Sequence, residues 1–228
     1  MNILGLPPLS KKSREMRRLF ASIHATRAWG DGESRSGPGS TRERAATFLP
    51  DLLDLLRSLP VSTLLDAPCG DFNWAEPVAD AVASYVGVDV VPALIASNRQ
   101  RWTSPRRRFL CRDIVHQRLP TADLVLCRDG LVHLSEADIW LALRNFQRTG
   151  ATYFLTTTFV GERDNCDIAT GSWRPINLQR APFSFPDAVG MIDERCHHTG
   201  GAYADKRLAL WRFSDLPASR PAAELDCC

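Results

Sequence analysis

The chain has 228 residues, of which 44% are hydrophobic, and its 28 basic and 26 acidic side chains give a formal net charge of +2. This length and apolar content suffice for one domain with a full core, and the balanced charge excludes a strong long-range field toward nucleic acid or a membrane. No apolar run approaches the roughly 20 residues that a bilayer span needs, so we expect a small-molecule partner.

The first residues, MNILGLPPLSKK, place apolar residues before positive charges, which is the reverse of a secretory signal. We therefore expect a cytoplasmic protein with no membrane partner. Its seven cysteines are then expected to be thiols. Because none of them forms a CxxC pair, no metal site is predicted.

The segment that follows predicts an amphipathic helix and then a loop. In KKSREMRRLFASIHATRAW the apolar residues recur at helical spacing, which is typical of a helix lying on the body of a domain. The stretch GDGESRSGPGST is either a linker or a loop whose backbone approaches a ligand. Ser40 and Glu43 fit a capping box at the start of a further helix that reaches Leu56 and should kink at Pro50.

Beyond that helix, short β-rich runs alternate with helical patterns. The predicted strands are Thr63 to Leu65, Tyr85 to Val88, Phe109 to Cys111, Leu124 to Cys127 and Tyr153 to Thr157, with helices at Pro92 to Arg101 and Ser135 to Gln147. Because the strand runs are apolar on both faces, the alternation predicts an α/β fold with a parallel sheet.

Aspartates stand at the ends of these predicted strands. Asp66, Asp89 and Asp113 follow the first three strands at spacings of 23 and 24 residues, and Asp123 precedes the fourth. Ligands of open parallel sheets bind at the carboxyl ends of the strands, so the first three acids should converge on one crevice. Asp89 suits ribose hydroxyls and Asp113 the amine of adenine, although each could instead cap the helix that follows it.

The turn in LLDAPCGDFNW, residues 64–74, argues against a ligand bound through phosphate. A dinucleotide site needs G-x-G-x-x-G, whereas Pro68 and Phe72 stand here where other glycines would be, and only Gly70 remains. The carboxylate of Asp71 would repel a phosphate. A nicotinamide-dependent oxidoreductase is thereby disfavoured, and a cofactor that carries a positive charge and an ammonium group, such as S-adenosylmethionine, fits better.

These motifs resemble those of the class I S-adenosylmethionine-dependent methyltransferases over about residues 40–160. LLDAPCGDFNW is similar to the first motif of that family, YVGVDVVPALI to the second, and CRDI and ADLVLCRDGLVHL to the segments at the third and fourth strands. The resemblance implies a Rossmann-like methyltransferase fold: a mostly parallel seven-stranded sheet with helices on both faces, whose last strand, Leu208 to Phe213, is antiparallel. It divides the chain into an N-terminal helix and lid segment, 1–39, and a cofactor-binding methyltransferase domain, 40–228.

The resemblance also implies the cofactor contacts. S-adenosylmethionine would have its methionine part against Asp66, Ala67, Pro68 and Gly70, its ribose against Asp89 and Val90, and its adenine against Asp113 and Ile114. Trp29 and Ser36 of the lid segment would fold over the cofactor and exclude water.

The residues after the fourth strand, Arg128, Asp129 and His133, would lie beside the transferred methyl group and are the candidate catalytic residues. His133 is either a base or only structural, and Asp129 would orient the acceptor or hold the amino group of the cofactor. Arg128 is also a candidate cofactor contact.

The polar segment 159–180 predicts the class of acceptor. The segment contains hydrogen-bonding side chains and one aromatic ring, from Arg163, Asn165, Asp167, Trp173, Arg174 and Asn177. These groups suit the binding of a polar acceptor such as a sugar, an amino acid or a carboxylate. The basic run RQRWTSPRRR, residues 99–108, lacks a stacking platform and disfavours nucleic acid. We therefore expect a methyltransferase of small polar metabolites. The alternatives are a catalytically inactive cofactor-binding partner protein and an RNA methyltransferase.

Overall fold

The structure, a computed structural model, describes residues 8–30, 32–197 and 200–219. Its strands are β1 (Thr63–Asp66), β2 (Ser84–Asp89), β3 (Arg107–Cys111), β4 (Leu124–Cys127), β5 (Tyr153–Phe159), β6 (Gly190–Asp193) and β7 (Lys206–Arg212). They form one seven-stranded sheet in the order β3-β2-β1-β4-β5-β7-β6. Strands β1 to β5 are parallel, and β7 runs antiparallel to both of its neighbours, β5 and β6.

Helices cover both faces of this sheet. They are α1 (Lys11–Thr26), α2 (Arg42–Ala46), α3 (Leu49–Ser58), α4 (Glu76–Asp80), α5 (Pro92–Trp102) and α6 (Glu136–Gln147). Side chains alternate along each strand, so Leu64 packs in a core cluster with residues of α3, α4 and α5, while Leu65 packs in a second cluster with residues of α1 and α6. This two-sided burial explains why the strand sequences are apolar throughout.

The predicted strands and the two predicted helices between them are all present, with ends that differ by at most two residues. The antiparallel last strand is also confirmed. Strand β6 was not predicted. It is a four-residue edge strand, and Met191 within it is largely exposed, so it lacks the apolar run by which the other strands were recognised.

The prediction of one kinked helix after residue 40 is wrong. Ser40 ends a short 3-10 turn, Pro38–Ser40, and the residue that caps α2 is Thr41, whose hydroxyl accepts a hydrogen bond from the Arg44 N–H at 3.3 Å. Pro50 lies in the first turn of α3. Backbone N–H groups in the first turn have no partner within the helix, so the N–H that proline lacks is not needed there. Pro50 therefore starts a second helix and does not kink the first.

The cysteines of the described ranges, Cys69, Cys111, Cys127, Cys166 and Cys196, are free thiols, while Cys227 and Cys228 lie outside those ranges. Within the part of the chain that the structure covers, no helix combines the length and the apolarity needed to cross a bilayer. The same residues contain no group of three or more His, Cys, Asp or Glu side chains arranged to hold a metal ion.

Candidate active site

A cleft opens at the carboxyl ends of β1, β2 and β4, beneath α1 and the loop that follows it. The empty space within it, its open mouth included, is about 1050 Å³. The structure brings nearly all of the predicted site residues to this cleft: Trp29, Ser36, Asp66, Pro68, Gly70, Asp89, Val90, Asp113, Ile114, Arg128, Asp129 and His133.

Ala67 is the predicted cofactor residue that does not line the cleft, and the cleft is also not lined by the residues predicted to recognise the acceptor, Arg163, Asn165, Asp167, Trp173, Arg174 and Asn177. The Ala67 side chain is fully buried in the core cluster that contains Leu65 and Val88, and its N–H donates to the Leu126 carbonyl at 2.9 Å. It continues the β1 hydrogen bonding toward β4, so its methyl group faces the sheet core and does not line the cleft. The contact of Ala67 with the methionine part of a cofactor stays a prediction, and it would have to be made by the backbone of Ala67.

The turn after β1 explains the departures from the glycine pattern. Gly70 has φ +54, and a Cβ there would lie 2.3 Å from the Ser36 hydroxyl oxygen. Phe72 adopts φ 59 although it is not glycine, and its buried ring packs edge-on against Tyr85 and Phe109. The backbone shape that glycine favours is thus kept at residue 72, with an aromatic anchor in place of a bare backbone.

Asp71 ties the loop after α1 to this turn. Its Oδ2 accepts from the Ser34 hydroxyl at 2.9 Å and from the Arg35 N–H at 2.8 Å. The Ser36 hydroxyl oxygen accepts from the Asp71 N–H at 3.0 Å. From the sequence, Asp71 is expected only to repel a phosphate, because nothing local in the sequence links it to residues 34–36.

Asp89 is buried at the end of β2 and faces two backbone amides. Its Oδ2 accepts from the Gly70 N–H at 3.2 Å and its Oδ1 from the Val91 N–H at 2.9 Å. Burial raises the pKa of its carboxyl to about 6. Because each carboxylate oxygen has two lone pairs, both can accept a further hydrogen bond from the cleft.

Asp113 uses its carboxylate within its own turn. One oxygen accepts from the Val115 N–H at 2.8 Å, and the other lies 2.8 Å from Nδ1 of His116. No helix directly follows Asp113, so its carboxylate caps a turn and not the helix that the sequence offered as the alternative. Asp113 also lines the cleft, and its contact with adenine stays a prediction.

Asp66 is buried at the end of β1, where its carboxylate accepts a 2.5 Å hydrogen bond from the Tyr85 hydroxyl. Burial is the main cause that raises the pKa of Asp66 to about 7. A buried carboxyl with this pKa holds its proton more readily than a free one, and a positive charge nearby would favour its ionised form.

Asp129, whose side chain is 26% exposed, belongs to a group of four charges whose other members, Arg128, Glu194 and Lys206, are buried. It has φ 54, and its Oδ2 lies 2.7 Å from Lys206 Nζ and 3.4 Å from Arg128 Nη1. Lys206 also pairs with Glu194 at 3.1 Å. The two cations outweigh the effect of burial and hold the pKa of Asp129 well below its usual range, so the side chain stays a carboxylate.

Arg128 is held from several sides. Its Nε and Nη2 donate to Glu194 at 3.2 and 2.7 Å, and Nη2 also donates to the Gly39 carbonyl at 2.9 Å. The guanidinium lies 4.6 Å from the centre of the Phe48 ring. These contacts make Arg128 the link between the β4 end and the loop after α1, while a catalytic or cofactor role for it stays a prediction.

His133 lies in a 3-10 turn, Leu131–His133, and its ring stacks on Trp29 with centroids 3.9 Å apart and planes 20° apart. Its Nδ1 is 2.9 Å from the Ser172 carbonyl oxygen. A carbonyl only accepts, so the neutral ring carries its proton on Nδ1 and leaves Nε2 unprotonated. Burial is the main cause that lowers the pKa of His133, which favours this neutral form.

Several cleft residues were missed by the sequence argument. Met16, Phe20, Ile23 and His24 of α1 line the cleft, as does Trp74. The apolar stripe of α1 was recognised, but the surface that it covers could not be read from its own pattern. Glu194 and Lys206 were missed because β6 and β7 bring them beside Asp129 from distant parts of the chain.

Comparison with known proteins agrees with this geometry. The family described as "Methyltransferase domain" matches residues 64–150. The 1,6-didemethyltoxoflavin-N1-methyltransferase of Burkholderia thailandensis, solved with its namesake ligand and S-adenosylhomocysteine, has a TM-score of 0.58 and 19% identity and covers 91% of this chain and 92% of its own. Magnesium protoporphyrin IX methyltransferase from Synechocystis PCC 6803, solved with S-adenosylmethionine, has a TM-score of 0.56 and 16% identity, over 91% and 99% of the two chains.

A third solved structure, the N-methyltransferase NodS of Bradyrhizobium japonicum, has a TM-score of 0.51 and 19% identity over 75% of this chain and 95% of its own. No curated protein sequence matches the chain significantly. At these identities the solved structures establish the fold, and the sequence match establishes the domain. Residues 64–150 match a methyltransferase domain, and the chain has the fold of the class I S-adenosylmethionine-dependent methyltransferases.

Proposed function

We propose that the protein is an S-adenosylmethionine-dependent methyltransferase that acts on a small polar metabolite. The observation that carries this proposal is the cleft at the strand ends, where Asp66, Asp89 and Gly70 stand together without a glycine-rich phosphate-binding turn. Solved structures of similar fold contain S-adenosylmethionine or S-adenosylhomocysteine, which supports the same cofactor here.

The residues of the cleft fit this cofactor. Asp89 keeps a lone pair on each oxygen for ribose hydroxyls after accepting its two backbone bonds. Gly70 carries no Cβ, which lets the Ser36 hydroxyl lie against this turn. Asp66, whose pKa burial raises to about 7, would ionise more readily beside a positively charged ligand. When bound, S-adenosylmethionine supplies an electrophilic methyl group.

The chain's own residues supply position and proton transfer. Nε2 of His133 is free to accept a proton from an acceptor hydroxyl or ammonium group, and Trp29 holds the ring in place by stacking. Asp129, a permanent carboxylate beside this ring, can accept a hydrogen bond from the same acceptor. Helix α1 and Trp29 cover the cleft and exclude water.

Two observations favour a small acceptor over RNA. The cleft lies beneath α1 and the loop after it, which suits a molecule that can be enclosed. In the basic run, Arg107 is paired with Asp80 at 2.7 Å and with Glu76 at 3.2 Å, and Arg99 Nε donates to the Phe109 carbonyl at 2.8 Å. Guanidinium groups committed to these partners are less available for phosphates.

The test is to incubate the protein with cofactor labelled in its methyl group, together with either a dialysable metabolite extract or total RNA. We expect label in a small polar product. We also expect His133→Ala to lower turnover by about 100-fold or more while S-adenosylhomocysteine binds with nearly unchanged affinity. Label in RNA alone would contradict the proposal. Tight cofactor binding without any transfer would indicate the inactive partner protein instead.

A further inference from the structure

We propose that Arg174 is a positioning residue for His133, and that with the backbone of the 166–174 segment it holds the Leu131–His133 turn so that Nε2 of His133 stays unprotonated. This inference rests on the proposed function, since a free Nε2 matters only if His133 accepts a proton. Arg174 lies on the loop between β5 and β6 and does not line the cleft itself.

The side chain of Arg174 is bound to backbone carbonyls. It is 4% exposed, and its Nη1 donates to the Leu131 and Val132 carbonyls, each at 3.1 Å. Its Nε donates to the Cys166 carbonyl at 3.2 Å. The backbone N–H of Arg174 also donates to the Val132 carbonyl at 3.1 Å. The planar fork of the guanidinium thus joins two consecutive carbonyls of the turn to the segment.

This placement is costly for a cation, which argues that it has a specific role. Its Nη2 is buried without a hydrogen-bond partner among the residues that the structure covers, and the carboxylates of Asp167 and Glu136 act on the guanidinium through their charge. Burying a guanidinium without a paired carboxylate costs several kcal/mol in general. A neutral side chain would fill the same space at less cost, but it could not bind the two carbonyls of the turn.

The segment also holds His133 directly. The Gly171 N–H donates to the His133 carbonyl at 2.8 Å, and the Ser172 carbonyl accepts from Nδ1 of the ring. Gly171 has φ +99, and a Cβ there would lie 2.9 Å from the Leu19 side chain of α1. The 166–174 segment therefore lies between the Leu131–His133 turn and α1. Trp29 stacks on the face of the His133 ring.

These contacts decide which ring nitrogen carries the proton. The Ser172 carbonyl requires Nδ1–H, and no described residue hydrogen-bonds Nε2. Of the charged groups that face the ring, Asp129 raises its pKa, whereas Arg174 and Lys206 lower it. If the turn were released from the 166–174 segment, the bond from Nδ1 to Ser172 would weaken, and the ring would shift toward the Nε2–H tautomer that imidazole side chains favour in water.

The experiment reads the tautomer of His133 by NMR of histidine-labelled protein in weakly alkaline buffer, with its signals assigned by their loss in His133→Ala. We expect the Nδ1–H tautomer in the wild type and a shift toward Nε2–H in Arg174→Met. Arg174→Lys should restore part of the wild-type population. Arg163→Met is the matched control, because Arg163 lies on the same loop but binds Asp205 at 2.8 Å and the Ala202 carbonyl at 3.3 Å; it should leave the His133 signals unchanged.

An Nε2–H tautomer in the wild type would overturn the proposal. So would a folded Arg174→Met with unaltered His133 signals; if that variant does not fold, the wild-type tautomer and Arg174→Lys decide. The measurement needs neither cofactor nor acceptor. A normal Nδ1–H tautomer combined with full turnover in His133→Ala would therefore refute the base role in the proposed function and leave the positioning by Arg174 intact.

Discussion

At the scale of single residues, the site depends on charges kept ionised by their neighbours. Asp129 remains a carboxylate because Lys206 and Arg128 lie against it. Lys206 in turn is buried and also forms an ion pair with Glu194. Within such a group each charge is compensated only while the others are present.

Removing one cation should therefore cost more than the loss of a single contact. We predict that Lys206→Met lowers the free energy of unfolding by about 3 kcal/mol, because it leaves the partly buried carboxylate of Asp129 and the buried carboxylate of Glu194 with one cation. The control is Arg207→Met, which breaks a partly exposed pair with Asp193 at 3.0 Å and should cost less than about 1 kcal/mol. Urea denaturation measures both values, and equal losses in the two variants would contradict the account.

At the scale of elements, the turn after β1 is bonded to the loop after α1 at the side of the cleft. Asp71 binds Ser34 and the Arg35 N–H, and Gly70 leaves room for Ser36. We infer that this contact lets Trp29 and residues 32–36 act as a lid over the cleft.

We predict that Asp71→Ala releases this loop. Amide hydrogens of residues 34–36 should exchange faster, and S-adenosylhomocysteine should dissociate faster, because the loop loses its hydrogen bonds to the turn. Asp54→Ala removes an aspartate of α3 that pairs with Arg57 on the exposed surface, and it should change neither quantity. Unaltered exchange and dissociation in Asp71→Ala would show that the lid is held in another way.

The elements also show what the sequence could predict. Strands β1 to β5 and helices α5 and α6 were predicted because their signals are local: apolar runs, helical spacing and a cap such as Ser135, which accepts from the Asp138 N–H. Strand β6 was not predicted, because it is held by pairing with β7, in which Gly190 lies opposite Leu210. The positive φ of Phe72 was also beyond prediction, since it is fixed by distant aromatic rings.

At the scale of the whole molecule, the parallel sheet brings acids that are distant in sequence to one edge, and their burial links stability to pH. The pKa of Asp66 rises from 3.8 to about 7 on folding, so between these values the folded state binds more protons than the unfolded state. Its contribution to stability is therefore greatest at low pH and falls as the pH rises from about 4 to about 7.

Asp66→Asn isolates this contribution. The lowered pKa values of His24 and His133 act in the opposite direction, so the comparison is the difference in unfolding free energy between wild type and variant. We predict that wild type loses stability relative to Asp66→Asn, by the order of 1 kcal/mol or more, as the pH rises through this window. A difference that is constant with pH in denaturation curves would contradict the raised pKa.

The central claim is that the strand-end carboxylates bind the adenosine part of a cofactor, and calorimetric titration with S-adenosylhomocysteine tests it most directly. Asp89→Asn and Asp123→Asn are matched variants, because Asp123 also accepts two backbone hydrogen bonds, from the N–H groups of Ser62 at 2.9 Å and Thr63 at 2.7 Å. Asp123, however, lies at the amino ends of the strands, away from the cleft. We predict that the affinity of the wild type for S-adenosylhomocysteine increases as the pH rises through about 6, where Asp89 ionises. Asp89→Asn should lose about 1–3 kcal/mol of binding free energy. Asp123→Asn should bind S-adenosylhomocysteine with the affinity of the wild type. Wild-type affinity in Asp89→Asn, or an equal loss in Asp123→Asn, would contradict it.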